Sequence, residues 1–129
     1  MILPMGRPQW ASPGAGHRAS EEAIHRAVVQ LLERAACANV AWTHMPAGEA
    51  RGPGTGGKLK GLRLKPGWPD LLLVKAGRLY GLELKAAGGR GSAAQAGAHA
   101  ALARAGATVA VAHGLDAAIA QLKTWGMVR

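Results

Sequence analysis

The chain has 129 residues, with 16 Lys and Arg against 7 Asp and Glu, which gives a formal net charge of +9 at pH 7. This length fits one domain, and so basic a balance favours a polyanionic partner such as nucleic acid. The single cysteine, Cys37, excludes an internal disulfide and a cysteine-based zinc site. No apolar run approaches the roughly 20 residues that span a bilayer, and the opening Met1–Gly6 is too short for a signal peptide. We therefore expect a cytoplasmic protein that does not enter a membrane.

The first part of the chain predicts a tail, a helix and a strand. Residues 1–19 are rich in Pro, Gly and Ala, which is typical of a flexible tail. Ser20 is a plausible N-cap, and apolar residues at helical spacing predict a helix from Glu21 to about Ala36. Residues 39–45 fit a first strand.

A Gly-rich, basic segment follows at 46–67. A loop of this length in a compact domain is usually functional or disordered, and Lys and Arg hold a nucleic-acid backbone without reading its sequence. The loop cations that we expect to contact DNA phosphates are Lys58, Lys60, Arg63 and Lys65. A solvated loop without a ligand is the alternative. The stretch Gly52–Lys58 lacks the Gly-Lys-Ser/Thr arrangement of a phosphate loop, so we expect no nucleotide cofactor.

The second half of the chain predicts, in order, a hairpin of two strands, a helix, a buried strand and a final helix. Their predicted bounds are 71–74, 79–86, 92–104, 107–112 and 116–125. The first hairpin strand is apolar on both faces, which favours a covered, central position, and Asp116 is the expected cap of the last helix. The order αβββαβα predicts an α/β fold in one domain, residues 20–129, with a mixed sheet flanked by helices.

Three charged residues stand out in the predicted hairpin. Asp70 precedes its first strand, and Glu83 and Lys85 lie on the second, where charged residues are disfavoured. Because side chains alternate across a strand, Glu83 and Lys85 share one face. Two carboxylates suit Mg²⁺ or Mn²⁺, and a lysine beside them can polarise a phosphate, so the combination indicates phosphodiester hydrolysis. Taken singly, Asp70 also fits a turn, and Glu83 and Lys85 also fit a solvated edge strand.

These residues resemble the VRR-NUC domain, a compact branch of the PD-(D/E)xK nuclease superfamily. The stretches that match are 66–70, 77–85, 89–95 and 105–111, and the likeness covers roughly residues 20–126. The resemblance implies a restriction-endonuclease-like fold and a metal-dependent DNA endonuclease. It further implies branched DNA as substrate (a flap, a fork or a Holliday junction) in replication or repair. The stand-alone form suggests a phage or bacterial origin and a homodimer that presents two sites to a junction.

The resemblance also implies a role for each matching site residue. Asp70 and Glu83 would ligate Mg²⁺ or Mn²⁺ together with the backbone carbonyl of Leu84, and Lys85 would contact the scissile phosphate or the attacking water. Arg90 would help to hold the DNA strand. These roles are expectations that the geometry of the folded chain has to support.

The family also carries a Glu on its first helix near the metal, and this chain offers Glu21 and Glu22. At about 100° per residue, Glu21 lies in line with Val28 and Leu32 on the apolar stripe, whereas Glu22 points away. A carboxylate at the end of a buried stripe needs a partner, which a metal would supply. We therefore expect Glu21 to be the helix acid and Glu22 to be solvated.

Gln95 fits a family glutamine beside the active centre. Ser92 and Gln95 also have the spacing of a capping box, in which the Gln side chain bonds back to the helix start. Both interpretations stay open. The chain departs from its relatives at His25, where they often carry Gln, and at Ala47, where they commonly carry Asn.

The five histidines show no metal-ligand spacing, so we expect no zinc enzyme. Two other functions remain as alternatives to a structure-selective endonuclease. A non-catalytic DNA-binding or recruitment module that keeps the fold is the main alternative to an endonuclease. A sequence-specific, restriction-type nuclease is a weaker one, since no element dedicated to reading bases is apparent.

Overall fold

The computed structural model describes residues 19–45 and 65–129. In these residues the chain forms three helices and four strands. They are α1 (Glu21–Ala35), β1 (Val40–His44), β2 (Leu71–Lys75), β3 (Arg78–Lys85), α2 (Ala93–Arg104), β4 (Thr108–His113) and α3 (Leu115–Thr124). The predicted α/β fold, with its order αβββαβα, is confirmed. Residues 1–18 of the tail predicted at 1–19 lie outside the described residues, as do the cations Lys58, Lys60 and Arg63.

The four strands form one mixed sheet in the order β1-β2-β3-β4. β1, β2 and β3 are antiparallel neighbours, and β4 pairs in parallel with β3. The hairpin turn consists of Ala76 and Gly77, whose φ angles are 51° and 77°. Positive φ at both central residues is the geometry that closes a two-residue hairpin. Parallel pairing needs a crossover connection, and α2 supplies it between β3 and β4.

The hydrophobic core lies on one face of the sheet, under α1 and α3. Its large side chains come from every layer and are fully buried: Ile24, Val28, Leu32, Leu71, Leu73, Leu82, Leu84 and Leu122. Leu82 and Leu84 reach this core from β3, so Glu83 and Lys85 point to the opposite face, where α2 lies. No helix among the described residues is long and apolar enough to cross a membrane.

The face opposite the core is only partly covered. Val74 on β2 is 44% exposed and Val111 on β4 is 46% exposed. β2 is central, as predicted, but our expectation that both its faces are covered is wrong, and so is the expectation that β4 is buried. The physical reason is that β4 lies at the edge of the sheet, and α2 has mostly Ala and Gly side chains, which cover little surface.

Of the two predicted helix N-caps, the one for α1 is confirmed and the one for α3 is wrong. Ser20 caps α1 as predicted, because its Oγ accepts a hydrogen bond from the Ala23 amide at 3.1 Å. The prediction that Asp116 caps α3 is wrong, since the N-cap is Gly114, with a φ of 94°. Asp116 instead lies in the first turn, where its negative charge is attracted by the positive end of the helix dipole.

A close contact between Pro69 and Gly81 holds the start of β2 against β3. Pro69 is fully buried, and a Cβ on Gly81 would stand 2.7 Å from its Cγ. Real Cβ atoms do not approach a neighbour so closely, and the proline ring is enclosed, so it has little room to move.

We expect Gly81→Ala to lower the free energy of unfolding by about 1–3 kcal/mol through overpacking. The matched control is Gly97→Ala in α2, where an added Cβ meets no atom within 4 Å. Because Ala is the better helix former, the control should stabilise the protein by up to about 1 kcal/mol. Urea unfolding followed by circular dichroism measures both. Equal effects of the two substitutions would contradict the close packing of Pro69 on Gly81.

Candidate active site

Strand pairing brings the Asp70 and Glu83 carboxyls together. Asp70 immediately precedes β2, and Leu71 pairs with Leu82 on β3, so Asp70 stands opposite Glu83. Asp70 Oδ2 accepts a hydrogen bond from the Leu84 amide at 2.7 Å. On its other side, the Asp70 carbonyl accepts a hydrogen bond from the Met45 amide at 2.8 Å, which extends the pairing of β1 with β2. The backbone and the side chain of Asp70 are therefore both fixed.

Glu83 and Lys85 lie side by side and are almost completely buried. Their residues are 3% and 6% exposed, and Lys85 Nζ lies 3.6 Å from Glu83 Oε2. β3 is an interior strand, between β2 and β4. A solvated edge strand therefore does not describe these two residues. Charged groups are buried at a cost in free energy unless they are paired, so this pair marks an unusual environment.

Gln95 takes part in two interactions, the capping box at the start of α2 and a hydrogen bond to Glu83. Its Oε1 accepts a hydrogen bond from the Ser92 amide at 2.9 Å, and its own amide donates to Ser92 Oγ at 3.1 Å, which completes a capping box. Its Nε2 donates to Glu83 Oε2 at 3.0 Å. The cap fixes the orientation of the side-chain amide, because the Ser92 N–H needs an acceptor. The helix cap thereby directs a hydrogen-bond donor at the active-site carboxyl.

His99 joins the site, although we expected no role for it from its sequence position. Its Nε2 lies 3.7 Å from Glu83 Oε1, and both atoms are buried without a hydrogen-bond partner. The signal that pointed to it was helical spacing, since His99 follows Gln95 by four residues and therefore lies on the same face of α2. This signal becomes informative only if Gln95 is first assigned to the site.

The two acids at the start of α1 have different surroundings. Glu22 is 75% exposed and forms an ion pair with Arg26 at 2.7 Å. Glu21 is also exposed, but its Oε1 lies beside Gly89, in the loop that leads from β3 to α2. Its negative charge also helps to raise the pKa of Glu83. Of the two, Glu21 is the one whose charge acts on the site.

His25 lies close enough to Asp70 for the charge of that carboxylate to act on it. Its ring contacts that of His44 edge to face, with centroids 5.2 Å apart, and its Nε2 is buried without a hydrogen-bond partner. Burial is the main reason that the pKa of His25 is lowered, against the opposing charge of Asp70. Burial and the neighbouring Lys85 charge likewise lower the pKa of His99. Both imidazoles are consequently neutral at neutral pH.

Burial raises the pKa of Glu83 to about 8, with further contributions from a hydrogen bond to Asp70 and from the Asp70 charge. The charge of Lys85 acts in the opposite direction but does not cancel these effects. Glu83 therefore keeps its proton more readily than an ordinary glutamate near neutral pH. A carboxyl with so strongly raised a pKa is a common mark of a functional site.

The donor atoms around Asp70 fit a divalent cation. Among residues 19–45 and 65–129, no group of three or more His, Cys, Asp and Glu side chains already stands in a metal-binding arrangement. However, Glu83 Oε1 is buried without a partner, and a hydrogen bond to Asp70 and the Asp70 charge both help to raise the pKa of Glu83. A cation that binds carboxylate oxygens would replace the proton that this raised pKa keeps on Glu83. The site therefore suits a hard, oxygen-binding ion.

Two of the five predicted DNA-contacting cations lie in the described part of the chain. Lys65 and Arg90 are both exposed. Arg90 stands between Gly89, beside Glu21, and Gly91, beside the Gln95 side chain, so it lies at the rim of the site. The carboxylates, Lys85, Gln95 and Arg90 are thus brought to one end of the sheet.

Comparison with known proteins identifies the fold. A solved structure of a VRR_NUC domain protein is similar over 83% of this chain and 88% of its own, with a TM-score of 0.66 and 24% sequence identity. The chain therefore has the fold of a VRR-NUC nuclease domain, as its motifs predicted. No family model matches the sequence, and no curated protein is significantly similar to it.

The raised pKa of Glu83 predicts a particular pH dependence of stability in EDTA. Between its ordinary value of 4.5 and about 8, the folded chain binds more protons at Glu83 than the unfolded chain does. A rise in pH across this window therefore removes stability, by at most about 1.4 kcal/mol per pH unit. We expect the free energy of unfolding of the wild type to fall more steeply with pH than that of Glu83→Gln. The lowered histidine pKa values act on both proteins, so parallel curves would contradict the assignment.

The two contacts of Gln95 can be separated by a pair of substitutions. Gln95→Glu keeps an oxygen to cap Ser92 but places a second carboxyl against Glu83, whereas Gln95→Ala loses both contacts. We expect Gln95→Glu to cost more stability near pH 8 than near pH 5, because the two carboxylates repel once both are ionised. Gln95→Ala should cost about 1 kcal/mol at either pH. Thermal unfolding in EDTA measures both, and a pH-independent loss in Gln95→Glu would count against the contact with Glu83.

Proposed function

We propose that this protein is a divalent-metal-dependent endonuclease that hydrolyses DNA phosphodiester bonds. The observation that carries the proposal is the cluster of Asp70, Glu83 and Lys85 on a nuclease fold, with Glu83 Oε1 buried and unpartnered. A buried carboxylate beside a second carboxylate and an ammonium is costly for a structural role. The same arrangement of charges suits a site that binds a cation and a phosphate.

Mg²⁺ or Mn²⁺ would be held by Asp70, Glu83, the Leu84 carbonyl and Glu21. The Leu84 N–H bonds to Asp70, and within a strand the N–H and C=O of one residue point to the same side, so this carbonyl faces Asp70. Such an ion, when bound, lowers the pKa of a ligated water and neutralises charge that develops on the phosphate. The side chains that hold it are fixed by backbone contacts, which supports a preorganised site.

Lys85 supplies a positive charge that does not depend on a bound ion. Its buried ammonium lies beside Glu83 and can orient a phosphate oxygen or the attacking water. Gln95 holds the second oxygen of Glu83, so that the carboxylate keeps one orientation. Together these groups would position the scissile bond for in-line attack by water.

The basic surface would hold the DNA backbone. Arg90 is exposed at the rim of the site, Lys65 is exposed beside α2, and the net charge of +9 favours a polyanion. Lys58, Lys60 and Arg63 extend this set in sequence. We propose that the enzyme prefers branched DNA (a flap, a fork or a Holliday junction) and acts in replication or repair. We further propose that it works as a homodimer in the cytoplasm of a bacterial or phage-infected cell.

Cleavage of end-labelled flap, fork, four-way-junction and linear DNA in Mg²⁺, Mn²⁺ or EDTA tests the proposal. We expect metal-dependent cutting that Asp70→Ala and Lys85→Ala each reduce by about 100-fold or more, since each removes a charge that the transition state needs. The branched substrate cut fastest would assign the role. Glu21→Ala should weaken metal binding, whereas its neighbour Glu22→Ala, which loses only a solvated ion pair, is the matched control.

Two results would overturn the proposal, and a third would correct the set of metal ligands. One is tight DNA binding without cleavage under every metal condition, which would leave a non-catalytic DNA-binding module. Another is cleavage that persists in Asp70→Ala, which would place the active site elsewhere or reveal a contaminating nuclease. A third is an equal loss of activity in Glu21→Ala and Glu22→Ala, which would remove Glu21 from the site.

A further inference from the structure

Two buried atoms without partners face each other across the site. Glu83 Oε1 and His99 Nε2 lie 3.7 Å apart, and neither makes a hydrogen bond. Among the residues that the structure describes, one other buried side-chain nitrogen or oxygen lacks a hydrogen-bond partner, namely His25 Nε2. Buried polar atoms are almost always satisfied, and each one left without a partner costs about 1–3 kcal/mol. A third group that binds both atoms would remove this cost.

The distance between the two atoms suits a shared cation. Metal ligands such as imidazole nitrogen and carboxylate oxygen lie about 2.0–2.2 Å from an ion, so two neighbouring ligands stand roughly 3.0–3.5 Å apart. The observed 3.7 Å needs a shift of only a few tenths of an ångström. The separation is also too long for a direct hydrogen bond between the two groups. The geometry thus resembles two ligands of one ion more than a hydrogen-bonded pair.

The two oxygens of Glu83 have separate partners on one helix face. Gln95 donates to Oε2, and Lys85 lies closest to the same oxygen, so Oε1 is the oxygen left for a ligand. His99 follows Gln95 by one turn of α2 and faces Oε1. The capping box at Ser92 fixes the start of this helix and thereby the position of the imidazole. A neutral imidazole offers one nitrogen lone pair to a metal ion.

We propose that His99 Nε2 ligates the same divalent cation as Glu83 Oε1 and Asp70. The inference rests on the proposed function and adds a nitrogen donor to an otherwise all-oxygen set. Mg²⁺ strongly prefers oxygen ligands, whereas transition-metal ions accept imidazole. His99 would therefore make the site select Mn²⁺ over Mg²⁺.

Electron spin echo envelope modulation of the Mn²⁺-loaded full chain detects a directly bound imidazole nitrogen, independently of activity. We expect this nitrogen signal in the wild type and in His25→Gln, and we expect its loss in His99→Gln. Competitive titration should show that His99→Gln weakens Mn²⁺ binding by about tenfold or more while Mg²⁺ binding changes little. His25 is the matched control, since its Nε2 is also buried and unpartnered. Circular dichroism checks that each variant is folded.

If His99→Gln does not fold, isotopic labelling of histidine in the wild type and in His25→Gln still shows whether a histidine other than His25 binds the ion. Mn²⁺ that binds without a histidine signal, or a signal lost in His25→Gln and kept in His99→Gln, would overturn the inference and leave the proposed endonuclease intact. Mn²⁺ binding that Asp70→Ala does not weaken would instead remove the metal from this site and sink the proposed function as well.

Discussion

The hydrogen bond from the Leu84 amide to the Asp70 carboxylate ties the residue before β2 to β3, and the other contacts of the site follow from it. Pro69 packs on Gly81 on one side of Asp70, and the Met45 amide binds the Asp70 carbonyl on the other. The carboxyl therefore cannot turn out to solvent without breaking contacts in the sheet. Held there, it stands opposite Glu83, and its hydrogen bond and charge help to raise the pKa of Glu83.

Burial alters the ionisation of Glu83 in this arrangement. Glu83 and Lys85 lie on an interior strand beneath α2, where water screens their charges poorly. Burial raises the pKa of Glu83 to about 8, and the ammonium of Lys85 lies beside it without a short contact. A pair placed for stability would be expected to close to a direct hydrogen bond. Under the proposed function, the absence of a direct hydrogen bond leaves both groups able to bind a cation and a phosphate, at some cost to stability.

α2 contributes to the site mainly through two side chains. The helix consists largely of Ala and Gly, most of them exposed, and its one fully buried residue is Leu102. Gln95 and His99 are the polar residues that it directs at Glu83, one at each oxygen. The fold is that of a VRR-NUC domain. The imidazole of His99 lies against Glu83, and by the inference above it sets the metal preference of the site.

Local signals in the sequence determined the order of the elements. Helical periodicity located α1, a two-residue turn located the hairpin, and the alternation of side chains placed Glu83 and Lys85 on one face. These signals depend on neighbours a few residues apart, so one sequence carries them. The cap of α3 was assigned wrongly because an acid near a helix start resembles an N-cap, whereas Gly114 at positive φ begins the helix.

Only the tertiary structure decided which groups meet and how deeply they are buried. The contact of His99 with Glu83 joins residues on a helix and a strand, and nothing in the histidine spacing indicates it. Val111 looked like a core residue in the sequence but is exposed because β4 lies at the sheet edge. Whether the charged strand face is solvated likewise depended on packing. The sequence placed Glu83 and Lys85 on one face of a strand, but burial, which only the packed structure provides, is the main reason that the pKa of Glu83 is raised.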